Sequence, residues 1–275
     1  GTAVVGTVSG IDTSISYGSE VLFNRNGTYD PSLTYIGNGK VFLSYYDGDA
    51  STNSGIGAKA SIGTVNGNLI DISPGQIFES NEITEILSVY DSTNDKVVCF
   101  YNDEVNLDGT SVVFDPGDDA TTFSSPIEFA QAQDGEVSAT FDSNSNKLVV
   151  AYRDGASGPG TAIVGTISDN SISFGTPVQF NSGHTYEMSL VFDSINNKVV
   201  IVYRDGGNSN YGTAIVGTVS GTSISFNGSA TTLPLNGGND YLSSTFDSTN
   251  GKVVVCFENN GDGKASVGEV SGNTI

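Results

Sequence analysis

The sequence predicts an all-β fold, a five-bladed β-propeller of four-stranded antiparallel repeats about 52 residues long. Three observations carry that expectation. One phrase recurs five times, its opening lysine standing at Lys40, Lys96, Lys147, Lys198 and Lys252. The chain has 35 glycines, no tryptophan and short apolar runs rich in Val, Ile, Phe and Tyr, with no sustained helical period. The interior of the phrase, "VVIVY" at 199–203, is apolar at odd and even positions alike, so both faces of that strand need cover. Neighbouring blades supply such cover; a solenoid of stacked flat sheets is the competing architecture.

Each repeat reads as four strands joined by Gly, Asn, Asp and Ser turns. The first is short: 31–35, 86–92, 136–143, 187–194 and 241–248. The second begins at the lysine. The third is "AKASIGTVNG" (58–67), "GTSVVFDPG" (109–117), "GTAIVGTISD" (160–169), "GTAIVGTVSG" (212–221) and "GKASVGEVSG" (263–272). The fourth is exemplified by "SISFGTPVQF" (171–180). The blades so defined span about 28–80, 81–131, 132–183, 184–238 and 239–275 of a single domain. The chain opens with a sixth copy of the third strand, "GTAVVGTVSG" (1–10), and a fourth strand at 14–23. The expectation is that 14–23 closes the ring as the outer strand of the last blade, hiding a sheet edge. The third-strand copy in residues 1–10 is then redundant: it displaces the C-terminal copy, belongs to a longer array from which the chain is cut, or serves as a strand-exchange segment that pairs with another molecule.

The 31 acidic residues against 10 Lys and Arg, a net charge of −21, exclude nucleic acid as a partner and disfavour anionic membranes. No apolar run approaches a membrane-spanning length, so no membrane insertion is expected. Gly1 rather than Met opens the chain, which reads as processed or excerpted. Cys99 and Cys256 lie three and four residues past their lysines. They face opposite ways along equivalent strands and are read as buried free thiols.

The repeat, as in "NSGHTYEMSLVFDSINNKVVIVYRDGGNSNYGTAIVGTVSGTSISF" (181–226), is similar to propeller repeats of extracellular and phage-associated proteins from aquatic microbes. In blade number alone it resembles lectins of the tachylectin type, with no shared sugar-binding motif. The Ser-x-Asp-x-Gly-x-x-Trp box of sialidase propellers is excluded by the absence of Trp. The resemblance bears on fold, not activity.

Five residues before the aromatic of each first strand stand Asp30, Glu85, Glu136, Glu187 and Tyr241, at the rim where propellers bind ligands. With Phe192 across from Val199, simple antiparallel register sets Glu187 opposite Arg204 and Glu136 opposite Arg153, two structural ion pairs. It sets Glu85 opposite Asn102, Asp30 near Tyr46 and Tyr241 opposite Glu258. These unmatched positions, with Asp47, form the expected ligand-binding face. The Asp of each strand-2 end (Asp47, Asp103, Asp154, Asp205) is expected to cap its own loop. No cofactor is expected. Ca²⁺ is the one ion the acids could draw, with Asp47, Asp49 and Asp262 as candidates in incomplete loops. His184, the sole histidine, reads as an exposed loop residue, and no catalytic constellation is visible. Asn26 and Asn227 match the N-glycosylation sequon.

The expected function is non-enzymatic. It is a structural or adhesive protein outside a cell or on a virion surface, the subunit of a filament whose partners are copies of itself. Two alternatives stand beside it: a lectin-like propeller that binds glycans on its top face, and a glycoside hydrolase using paired carboxylates.

Overall fold

The computed structural model describes residues 1–9, 14–49, 54–117, 122–131, 135–233, 239–259 and 261–275. They form strands throughout, as the repeat predicts, and the one helical element among them is a single 3₁₀ turn at Gly206–Asn208. Four short N-terminal strands, β1 (Thr2–Ala3), β2 (Gly6–Val8), β3 (Ile15–Tyr17) and β4 (Val21–Leu22), precede five blade sheets. Blade 1 holds β5 (Gly27–Gly37), β6 (Lys40–Asp49), β7 (Ser54–Asn66), β8 (Leu69–Ile72) and β9 (Gln76–Glu79). Blade 2 holds β10 (Ile83–Asp91), β11 (Lys96–Asp103), β12 (Asp108–Asp115), β13 (Thr122–Phe123) and β14 (Ile127–Gln131). Blade 3 holds β15 (Val137–Asp142), β16 (Lys147–Arg153), β17 (Gly160–Ser168), β18 (Ser171–Phe174) and β19 (Val178–Asn181). Blade 4 holds β20 (Thr185–Asp193), β21 (Lys198–Asp205), β22 (Tyr211–Ser220), β23 (Ser223–Ser225) and β24 (Thr231–Thr232). Blade 5 holds β25 (Asn239–Asp247), β26 (Lys252–Asn259) and β27 (Asp262–Gly268). The fold is an all-β, five-bladed propeller of antiparallel four-stranded blades.

The predicted fourth strand is broken in two. In blade 3, β18 pairs with one half of β17 and β19 with the other. The break falls at Gly175-Thr176-Pro177. Proline cannot donate to the ladder, and a Cβ on Gly175 would lie 1.8 Å from the carbonyl oxygen of Thr222 in the next blade. Gly228 meets Asn273 of blade 5 the same way, and Gly18 meets Asn68 of blade 1 at 1.7 Å.

Within the first unit, β3 pairs with β2 and β4 with β1, the pairing that the repeat gives to its third and fourth strands. The described residues of 1–23 form the outer half of a blade, seated on blade 1 as blade 3 is on blade 4. A Cβ on Gly1 would meet Phe23 and Thr28, as one on Gly160 would meet Phe180 and Thr185.

The chain divides into two compact units: residues 1–106 with 111–126, and residues 107–110 with 127–275. In the first, an apolar layer between blades 1 and 2 joins Phe42, Ala60 and Ile62 to Val97, Cys99, Tyr101 and Phe114. In the second, β21 splits its side chains between two layers. Val199, Ile201 and Tyr203 pack towards blade 3, and Val200 and Val202 towards blade 5. This division is why the phrase is apolar at every position.

The inner hairpins turn on an aspartate. Asp193 Oδ1 accepts from the N–H of Ile195 and Asn196, and its Oδ2 accepts from Asn196 Nδ2. Asp91, Asp142 and Asp247 repeat the arrangement. Consecutive blades are also joined by serine hydroxyls. The Oγ atoms of Ser32, Ser138 and Ser189 accept from the N–H groups of Ser88, Leu190 and Ser244 at 2.9, 3.1 and 2.9 Å.

Candidate ligand-binding face

The candidate site lies where each first strand begins and each second strand ends. The central pairing is as predicted, with Phe192 across from Val199. Towards the rim, however, the first strands of blades 1, 2, 4 and 5 bulge. The bulge residues Asp30, Glu85, Glu187 and Tyr241 adopt left-handed backbone angles, φ 46°, 55°, 48° and 59°. The register therefore slips by one. Tyr186, not Glu187, lies across from Arg204; Thr84, not Glu85, from Asn102; Tyr29, not Asp30, from Tyr46; and Asp240, not Tyr241, from Glu258. Among the described residues, blade 3 shows no such bulge. Arg153 N donates to Glu136 O, and the two side chains approach to 4.0 Å.

The acids at the rim act between blades. In the first unit, Asp30 Oδ2 accepts from Glu85 N at 3.3 Å. In the second, Glu136 Oε2 accepts from Met188 N and Glu187 Oε2 from Tyr241 N, at 3.3 and 3.1 Å. No positional count of the sequence points to this role, because the acceptor's partner is a backbone group 52 to 55 residues away.

Three members of the expected binding face are interior. Tyr46 and Asn102 are buried. Asp47 is fully buried and takes bonds from Lys59 Nζ and Asn24 Nδ2. Burial opposes its ionisation, yet those bonds outweigh it and hold its pKa below the usual carboxylate value. Asp47 is thereby committed as a structural anion. Asp205 both caps its own loop, accepting from Gly207 N, and holds Asn181 Nδ2 of the preceding blade. The side chain of Asp49 lies outside the described residues, and Asp262 is exposed on β27. Asn26 and Asn227 are both exposed.

What remains accessible divides by unit. In the first, Asp30 and Glu85 are exposed beside Tyr29. In the second, a richer cluster forms. His184 is half-buried rather than exposed, and its ring stacks on Tyr186 at 3.8 Å. Burial, then the positive charge of Arg153, pushes its pKa down, so the imidazole is neutral at pH 7. The Arg204 guanidinium lies over the same Tyr186 ring at 5.2 Å. One blade on, Tyr241 is 78% exposed beside a shallow, open depression that Cys256, Phe257, Glu258 and Lys264 also line. Aromatic faces flanked by guanidinium, ammonium and carboxylate groups are the chemistry that recognises polyhydroxylated rings: apolar ring faces stack and hydroxyls meet charged partners.

No protein-family model matches the chain, and no curated protein sequence is similar to it. Solved structures do share the fold. A Dyadobacter fermentans protein of unknown function superposes with a TM-score of 0.59 at 14% identity, over 92% of this chain and 79% of that one. An exo-β-1,3-galactanase from Clostridium thermocellum gives 0.51 at 11% identity, over 97% of this chain and 62% of the galactanase. The β-propeller domain of the trilobed protease from Pyrococcus furiosus, described as having an open velcro topology, gives 0.50 at 10% identity, over 92% of this chain and 71% of that one. The class is thus a five-bladed propeller. The extracellular and phage-associated type finds no matching family. The expectation of a non-enzymatic chain is corrected: a glycoside hydrolase is built on the same fold, so the repeat is no argument against an enzyme.

Proposed function

We propose that the protein is a carbohydrate-directed propeller that takes its glycan at the rim of blades 3 to 5. The observation that carries this reading is Tyr241, a ring 78% exposed beside the depression that Glu258 and Lys264 line, one blade from the His184–Tyr186–Arg204 cluster. A β-1,3-linked galactooligosaccharide is the first ligand to try, since a galactanase shares the fold. An extracellular setting suits both such a target and the net charge of −21.

The test is titration calorimetry with β-1,3-galactooligosaccharides, backed by a glycan array. Tyr241→Ala and Glu258→Gln should each weaken binding at least tenfold while leaving the fold intact. A flat array, or binding untouched by either substitution, ends this reading.

Hydrolysis is the second reading, and the galactanase likeness favours it. It requires two carboxylates flanking one glycosidic bond. Glu136 and Glu187 each accept from a backbone N–H of the neighbouring blade, whereas Glu258 accepts from Gly261 N of its own hairpin loop and lines the depression beside Tyr241, so Glu258 is the acid to substitute first. Release of reducing sugar that disappears in Glu258→Gln supports hydrolysis. Release that persists there assigns it elsewhere.

A further inference from the structure

We propose that Glu187 is the positioning residue of the glycan site, holding Tyr241 in the strained backbone that turns its ring outward; the inference rests on the reading above, which takes the sugar at Tyr241. The repeats supply internal controls. Of the five equivalent rim positions, Asp30, Glu85, Glu136 and Glu187 are acids and Tyr241 is not. Three of these acids commit a carboxylate oxygen to the backbone of the next blade: Asp30 to Glu85 N, Glu136 to Met188 N and Glu187 to Tyr241 N. Tyr241 brings no carboxylate to that task. Its ring is 78% exposed beside the depression that Glu258 and Lys264 line. Of the five positions, the one that lacks an acid is thus the one that presents an aromatic face.

The backbone at Tyr241 needs a hold from outside its own strand. Its φ is 59°, in the left-handed region. A bulky side chain stays there only where its surroundings over-determine it, and such outliers gather at binding sites. Tyr241 and Leu242 fall in the break of register between Asp240 and Ser243, outside the pairing of β25 with β26. The bond that Tyr241 N makes is with Glu187 Oε2 of the preceding blade, at 3.1 Å. Glu187 is itself fixed on both sides. Before it, the Tyr186 ring is stacked with His184 and lies under the Arg204 guanidinium. After it, Met188 N donates to Glu136 Oε2 at 3.3 Å. A carboxylate anchored at both flanks is a rigid acceptor, and a ring held in one direction loses less freedom when a ligand stacks on it. The His184–Tyr186–Arg204 cluster therefore acts on the sugar through Glu187 and Tyr241.

The experiment compares Glu187→Ala and Glu187→Gln with the parent in two measurements. One is hydrogen exchange at the Tyr241 amide without sugar; the other is calorimetric titration with β-1,3-galactooligosaccharides. Glu187→Ala should speed exchange at Tyr241 about tenfold and weaken binding about fivefold, because the N–H loses its acceptor. Glu187→Gln keeps a carbonyl oxygen that accepts, and should bring both back to within about threefold of the parent. Exchange at Tyr241 that is unchanged in Glu187→Ala overturns the proposal. So does binding that falls as far with glutamine as with alanine, which would mean that the sugar meets the charge of Glu187 directly. A parent that binds no galactooligosaccharide, with the Tyr241 amide responding as stated, ends the carbohydrate reading and leaves Glu187 as the residue that positions Tyr241.

Discussion

Phe180 stands edge-on to Tyr203, with ring centroids 5.2 Å apart, and the two belong to different blades. Phe23 meets Tyr45 in the same way at 5.1 Å, Phe78 meets Tyr101 at 5.9 Å and Phe129 meets Tyr152 at 5.6 Å. The last outer strand of each blade thus delivers a ring to the second strand of the next. Between blades 4 and 5, Leu233 packs against the apolar layer that contains Phe257. Burial of the partner phenols raises their pKa, that of Tyr152 to about 12, so they stay neutral.

The pairing predicts the cost of its removal. Phe180→Ala deletes a buried ring from the layer between blades 3 and 4 and should destabilise by about 3–5 kcal/mol. Phe180→Leu, which copies the Leu233 arrangement, should cost much less. Equilibrium denaturation by guanidinium checks both. An alanine variant that unfolds at the parent midpoint would show that the ring does not join the blades.

The serine join predicts a second, smaller effect. Ser189→Ala removes an acceptor from Ser244 N at 2.9 Å and a partner from Ser244 Oγ at 2.8 Å. The orphaned backbone donor should make the loss about 1–3 kcal/mol. Ser173→Ala, on an exposed outer strand, should change stability by less than about 0.5 kcal/mol. Equal effects from the two substitutions would refute a special role for the inner serine.

These joins mark the boundary of what the sequence discloses. Lys40, Lys96, Lys147, Lys198 and Lys252 open the second strands of five hairpins, because a repeated apolar run closed by Asp and Asn turn residues admits little else. The central register follows from the same pattern. The rim does not. Asp30, Glu85, Glu187 and Tyr241 take positive φ, a conformation that Gly would have announced and that Glu and Tyr do not. A slip of one residue turns a strand's side chains to the other face. That slip leaves Tyr186 across from Arg204, where Glu187 was expected. Cys256 differs from Cys99 for another reason: whether a strand face is covered depends on the neighbouring blade, not on the strand.

Acid stability follows from the aspartates. Burial opposes ionisation of Asp103, but the donors around it prevail: Asn81 Nδ2, the N–H groups of Asn106 and Val105, and Asn106 Nδ2. Its pKa lies below the ordinary 3.8, as do those of Asp47 and Asp247. A depressed folded pKa means that the unfolded chain binds the proton more readily. The stabilisation is complete above pH 3.8 and is lost as pH falls through the folded values. The melting temperature should hold steady from about pH 7 to 5 and drop below about pH 4. Asp103→Asn should flatten that acid limb while lowering stability at neutral pH. An acid limb identical in parent and variant would rule Asp103 out as a contributor.

The two thiols should separate cleanly. Cys99 is fully enclosed between blades 1 and 2, and burial pushes its thiol up to about 12. At neutral pH it is therefore protonated as well as shielded, and the thiolate is the reactive form. Cys256 is exposed on β26. A thiol reagent should titrate one group in the native state and the second only after denaturation. Cys256→Ser should abolish the native reaction and leave the denatured one. Two reactive thiols in the native protein would mean that β11 is open to solvent, and that the layer joining Cys99 to Phe42 and Phe114 does not close as described.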